Sequence, residues 1–358
     1  MTKRWLGIMA LLTVLAGALA GGPSRVQAAD TMPSSYVLPG DKVFPEGIAY
    51  EASSDSFYVG STTDGTIFRG NRSSGVVTVF SAGGLDGRAS VTGMKADGRG
   101  HLFVAGAATG LIFIYNTRDS SLAGRFDTGS APKTFLNDIA LTPDGTAYVT
   151  DSISPYLYKL TPNGAGGFSY ERWLDFTGTA FTYVQGFNAN GIVASSDGAY
   201  LLLVQSATGK LFHVATAGKA VAEVNLGSDT VAAGDGMWLT GHTLYVMRNQ
   251  LALLVALDMN ADYSAATVSG TSTDPSYAFP TTFARAGDRF LVVNAQFDKR
   301  GPNLSPVLPF TVSNVPVPGA GSTPGMPTTG TPFWPRFAAL IALAAALSLA
   351  GARLRARA

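Results

Sequence analysis

Six short segments of this 358-residue chain set a polar side chain at the head of an apolar strand pattern: Glu46-Gly47-Ile48-Ala49, Thr92-Gly93-Met94-Lys95, Asn137-Asp138-Ile139-Ala140, Asn190-Gly191-Ile192-Val193, Asp235-Gly236-Met237-Trp238 and Thr281-Thr282-Phe283-Ala284. Brought together, Glu46, Asn137, Asn190 and Asp235 form an all-oxygen donor set of two carboxylates and two carboxamides, with no His or Cys. Such a set suits a hard divalent cation, Ca2+ above all. Thr92 and Thr281 add hydroxyls that could hold waters. Any one Asn or Asp ahead of Gly reads as a turn residue, but four donors at one repeat position, including a Glu with no turn preference, favour a metal. By contrast Asp64, Asp97, Asp144 and Asp197, each before Gly inside a hairpin, read as turn residues. Asp151, Arg248, Asn249 and Asn294 close second strands and read as strand-end hydrogen bonders, with a supporting role around the ring as the alternative.

What could bring the donors together is the spacing. The six lead residues are separated by 46, 45, 53, 45 and 46 residues. A period of about 40 to 50 residues, filled with strand patterns and Gly/Asp turns, is the signature of a β-propeller with one blade per repeat. Innermost strands surround a central channel, so residues leading them converge at one mouth. The expected fold is therefore all-β, a six-bladed β-propeller with four-stranded blades over residues 35–317. The template is 136–151, where a strand meets the Pro143-Asp144-Gly145 turn and returns as a second strand. Blade five, from 236 to about 270, looks less regular in its outer strands. Blade six, with strands at 282–286, 289–295 and 310–317, lacks an outer strand, which 35–39 is expected to supply, closing the ring and covering the sheet edges.

The long step between Asn137 and Asn190 holds an aromatic insertion at 176–187. Phe181, Tyr183 and Phe187, together with Phe135, are candidates for a substrate pocket; the alternative is a surface loop packed on its own blade. Cysteine is absent, which excludes disulfides and thiolate sites. The net charge of +1 conceals an acidic body: Lys3, Arg4, Arg25, Arg336, Arg353, Arg355 and Arg357 lie at the ends, and without these seven, 18 bases face 24 acids. That balance excludes nucleic acid as a partner class. P-loops, Gly-x-Ser-x-Gly elbows and His-rich clusters are missing as well.

Residues 1–28 have a basic start, an apolar run and Val26-Gln27-Ala28, the pattern of a secretory signal peptide. Residues 318–332 form a Gly/Pro/Thr linker, and 333–358 a hydrophobic helix with an arginine-rich tail. Met326-Pro327-Thr328-Thr329-Gly330 ahead of that segment resembles a sortase sorting signal, with Met326 in place of the usual leucine. The alternative is a retained transmembrane anchor. Either way the expectation is an exported, surface-attached protein, monomeric, with its propeller outside.

Phe44-Pro45-Glu46-Gly47, Asn137-Asp138, Asn190-Gly191 and Asp235-Gly236-Met237 resemble the metal-site motifs of the family joining regucalcin (senescence marker protein), gluconolactonase and luciferin-regenerating enzyme, over about residues 44–294. The resemblance implies a six-bladed propeller with a divalent ion held by Glu46, Asn190 and Asp235, Asn137 beside it, and hydrolysis of a lactone or related ester. The sugar-lactonase members carry an Arg two residues ahead of the first Asn, where Phe135 stands here, which suggests a less polar substrate. His101, His213 and His242 are not placed as catalytic bases. The expected mechanism has the ion polarising the carbonyl, with Asp235 or a hydroxide on the ion delivering or activating water. The second function considered is a non-catalytic surface propeller binding a carbohydrate or protein partner.

Overall fold

The strand Pro45–Glu51 buries apolar side chains on both faces, because its sheet is packed between two others. Ile48 joins Leu291, Val293 and Phe310 of the preceding blade, whereas the adjacent Ala49 joins Met94 and Val104 of the following one. The computed structural model describes residues 32–164 and 166–318, and these form six four-stranded antiparallel sheets. Blade one is Pro45–Glu51, Ser56–Ser61, Ile67–Asn71 and Val77–Ser81; blade two is Met94–Ala96, His101–Ala105, Leu111–Asn116 and Leu122–Asp127. Blade three is Leu136–Leu141, Ala147–Asp151, Tyr156–Pro162 and Phe168–Asp175; blade four is Ala189–Ala194, Tyr200–Gln205, Lys210–Ala215 and Val221–Glu223. Blade five is Gly234–Thr240, Thr243–Arg248, Leu253–Met259 and Ala266–Ser272. It is as regular as the others: its outermost strand is rich in Thr and Ser because one face meets water, which hides the strand from an apolar pattern.

Blade six combines Pro280–Ala286, Arg289–Asn294 and Thr311–Pro316 with Ser35–Val37 from the other end of the described chain. The closure expected from the sequence is present, with Ser35, Tyr36 and Val37 paired to Ser313, Val312 and Thr311. Tyr36 anchors it. The ring lies 4.7 Å from Phe57 in blade one. The hydroxyl donates to the Arg72 carbonyl at 2.9 Å and accepts from Asn314 Nδ2 at 3.2 Å. Tyr36→Ala should lower the unfolding free energy by about 3 to 5 kcal/mol, the range for removing a buried aromatic ring. Urea unfolding followed by tryptophan fluorescence checks this, and a loss below about 1 kcal/mol would show that the closing strand adds little.

Among the described residues, helical structure is confined to short 3-10 turns, and no helix is long and apolar enough to cross a membrane. The proposed signal peptide, most of the linker, the Met326–Gly330 motif and the hydrophobic segment lie outside the described residues.

Candidate metal centre at the channel mouth

Five inner strands carry a β-bulge at the lead residue. Pairing shifts between Pro45 and Ile48, Leu136 and Ile139, Ala189 and Ile192, Gly234 and Met237, and Pro280 and Phe283. Two residues then oppose one, which bends the strand and re-aims the lead side chain. The residue after the lead is pressed onto the next blade: a Cβ on Gly47 would stand 1.9 Å from the Thr92 carbonyl oxygen, and one on Gly191 2.0 Å from that of Asp235. These glycines therefore serve close approach between blades, and the turn reading of Asn-Gly and Asp-Gly is corrected. Hydroxyls staple neighbouring lead segments together. Thr92 Oγ1 donates to the Leu136 carbonyl at 2.7 Å, Thr150 Oγ1 to that of Asn190 at 2.7 Å, and Thr281 Oγ1 to that of Glu46 at 2.9 Å. Thr92 and Thr281, expected to hold waters, thus give their protons to backbone carbonyls across blade boundaries.

The four expected donors, each near the start of an inner strand, are buried, Glu46 and Asn137 at 5% exposure, Asn190 at 6% and Asp235 at 3%. In three of them the nitrogen or second oxygen is tied back. Asn137 Nδ2 donates to Ser152 Oγ at 2.9 Å, Asn190 Nδ2 to Ser206 Oγ at 2.8 Å, and Asn249 Nδ2 to Asp235 Oδ2 at 2.8 Å. Asn137 Oδ1, Asn190 Oδ1, Asp235 Oδ1 and Glu46 Oε2 are left buried without a protein donor. A buried acceptor lacking its partner costs about 1 to 3 kcal/mol. Four at one mouth fit a hard cation, whose charge would satisfy all of them. Among the described residues no cluster of three or more His, Cys, Asp or Glu side chains is placed to hold a metal; this ring depends on amide oxygens for half its donors.

The electrostatics agree with that fit. Burial pushes the Asp235 carboxyl up to about 7; the Asn249 amide lowers it, Asp138 raises it and Asn190 lowers it. Glu46 is held well above the usual carboxylate range, first by burial, then by Asp235 and Asp138, with Lys95 acting in the opposite sense. Lys95 Nζ pairs with the buried Asp138 at 3.4 Å. Without a cation, the carboxyls oppose each other's ionisation.

Of the supporting residues named from sequence, Asn249 touches the ring. Asp151 accepts from the backbone N–H groups of Phe135, Ile153 and Ser154 and so shapes the strand end. Arg248 donates to the Ala232 carbonyl, and Asn294 to Thr311 and Ser313. Ser152 and Ser206, which orient the two amides, were missed. The available signal was a polar residue 15 or 16 positions after the lead, where Asn249 also sits at 14. The histidines lie elsewhere: His101 Nδ1 is 2.7 Å from Asp97 Oδ2 beside an inner hairpin turn, and His213 and His242 stack on Tyr200 and Tyr263.

The aromatic candidates divide. Phe181 is 1% exposed and packs among Phe176, Phe212 and Tyr183, so it is a core residue rather than a pocket wall. Tyr183 is partly buried, and its hydroxyl donates to the Asp151 carbonyl. Phe135 and Phe187 remain half-buried, edge to face at 5.0 Å, and precede Asn137 and Asn190 by two and three residues.

No family model matches the chain, and no curated protein matches it. Solved structures share its fold. The major allergen Mala s 1 of Malassezia sympodialis is 13% identical with a TM-score of 0.59, covering 80% of this chain and 96% of that one. Regucalcin from Agrobacterium tumefaciens strain C58, described as a calcium-binding protein, is 14% identical with a TM-score of 0.56, covering 80% and 95%. A putative 6-phosphogluconolactonase from Bacteroides uniformis is 15% identical with a TM-score of 0.51, covering 69% and 77%. The neighbours of this six-bladed propeller thus include calcium-binding and lactonase-like proteins, a likeness of fold.

Proposed function

We propose that this propeller is a divalent-cation-dependent hydrolase of a lactone or ester, acting outside the cytoplasm. The observation that carries the reading is the set of four buried, donorless oxygens on Glu46, Asn137, Asn190 and Asp235. These residues would hold Ca2+, which when bound polarises a substrate carbonyl and stabilises negative charge on its oxygen. Ser152, Ser206 and Asn249 keep the donor atoms turned toward the ring. Asn249 pins Asp235 Oδ2 and leaves Oδ1 to the ring, and the Asp235 carboxylate is the group we assign to orient and activate the attacking water. Phe135 and Phe187 shield the amide side of the mouth from water.

Attachment through the C-terminus is part of the proposal, by sortase-type cleavage between Thr329 and Gly330 or by a retained anchor. Pro316 pairs with Arg289 at the start of its strand, so the described chain leaves on the face opposite the mouth. A tether there leaves the mouth open.

The test is turnover of a lactone and ester panel by the purified protein with Ca2+ and with EDTA. Hydrolysis that EDTA abolishes and Ca2+ restores is expected; the absence of turnover on every substrate would sink the reading. The placement of all three histidines away from the donor ring favours one alternative, a surface propeller that binds a carbohydrate or protein partner while the ion stiffens the channel. Ca2+ binding by calorimetry without any turnover selects it.

A further inference from the structure

The loops around the mouth differ in character from one side to the other. Over blades one, five and six they carry Asp41, Lys42, Asp64, Asp86, Asp274, Asp298 and Lys299, whereas over blades three and four the exposed charges, Lys133, Asp175 and Asp229, stand at the margins of segments 134–137, 152–155, 176–188 and 206–209, which themselves include none. In that sector the half-buried rings of Phe135 and Phe187 meet at 5.0 Å, and Ile153 and Val184 are 46% and 44% exposed.

The polar groups beneath these side chains are already used. Asn188 Nδ2 donates to the carbonyls of Ser152, Val184 and Gly186, its Oδ1 accepts from Val184 N and Gln205 Nε2, and the Tyr183 hydroxyl is held by the Asp151 carbonyl. The loops are also bound to one another, Ser152 N to the Phe135 carbonyl and Ala207 N to that of Phe187, both at 2.9 Å. What the sector offers a ligand is therefore a firm surface whose apolar part is Phe135, Ile153, Val184 and Phe187, with exposed polar side chains at Thr177, Thr182 and Gln185.

That surface is continuous with the donor ring. Ser152, next to Ile153, orients the Asn137 amide, and Ser206, next to Ala207, orients that of Asn190. We propose that this sector is an acyl-binding subsite, so that the substrate is a lactone or ester bearing a linear alkyl substituent rather than a polyhydroxylated sugar lactone. The proposal rests on the hydrolase reading and names its substrate class. With the substrate carbonyl at the ring, the alkyl chain lies across Phe187, Phe135, Ile153 and Val184 and displaces water from them. Covering apolar surface in this way favours each added methylene in proportion to its burial.

The experiment uses γ-lactones with substituents from methyl to octyl, and the matching γ-lactams, which resist hydrolysis, for binding by calorimetry, all in the presence of Ca2+. For the wild type, kcat/KM and lactam affinity should rise about two- to fourfold per methylene over the first several. Phe187→Ala and Ile153→Lys should each flatten that slope, and thermal melts confirm that both variants fold. Turnover or binding independent of chain length, or a preference for polyhydroxylated lactones, overturns the subsite while leaving the hydrolase reading intact. No turnover with chain-length-dependent lactam binding does the reverse. Neither turnover nor lactam binding overturns both.

Discussion

At pH 8 without divalent cations, Asp235→Asn is expected to stabilise the protein by about 2 to 4 kcal/mol while abolishing Ca2+ binding. The free energy at stake lies in a buried carboxyl whose pKa is pushed up to about 7 by desolvation in the folded chain, against about 4 when unfolded. Between those values the folded state holds more protons than the unfolded state, so the cation-free wild type loses stability as pH rises from about 4 through 7. A shift of that size corresponds to about 4 kcal/mol. Asparagine keeps an oxygen for Asn249 Nδ2 and places an amide nitrogen where Oδ1 faced the ring. At pH 5 the two proteins should differ little. Ca2+ at a thousand times its Kd should bring the wild type level with the variant or above it, since a ligand in that excess adds about 4 kcal/mol to the wild type alone. Ca2+ affinity of the wild type should in turn weaken below pH 7, where protons compete for the carboxylates. Urea unfolding at both pH values, with EDTA or Ca2+, checks all of this; wild-type stability in EDTA that does not change between pH 5 and 8 would refute the account.

The second large effect is expected at Gly191. Alanine there would put its Cβ 2.0 Å from the Asp235 carbonyl oxygen and 3.0 Å from Met237 Cγ. The nearest obstacle is backbone, which cannot rotate away, so blades four and five must separate at the channel. The loss should be at least about 3 kcal/mol, at the upper end for overpacking. Ca2+ binding should fall as well, because Asn190 and Asp235 flank the clash. Gly270→Ala is the control: nothing lies within 4 Å of its Cβ position, and its stability should stay within about 0.5 kcal/mol of wild type. A Gly191→Ala protein that unfolds like the wild type and binds Ca2+ normally would show that the blades have more slack than these distances allow.

Repetition made the architecture legible. Glu46, Asn137, Asn190 and Asp235 occupy one position of a repeat, and in a closed ring one repeat position is one place, so their identity as a group needed no coordinates. The closing strand was legible for a related reason: Tyr36 sits in an apolar alternation that blade six lacked. Relations between blades were not legible, because they join residues far apart in sequence at distances that only packing sets. Asn190-Gly191 has the composition of a turn, and only the approach of the Asp235 carbonyl shows what its glycine is for. Phe181 and Phe187 stand six residues apart in one aromatic loop, yet one is buried among Phe176 and Phe212 while the other reaches the mouth beside Phe135. Ser152 and Ser206 are ordinary strand-end serines until the hydrogen bonds that turn two amide oxygens inward are seen. The chain's own periodicity determined which residues gather at the channel. Tertiary packing decided which of their atoms face it, because Ser152, Ser206 and Asn249, each following the second strand of its own blade, aim three of the four.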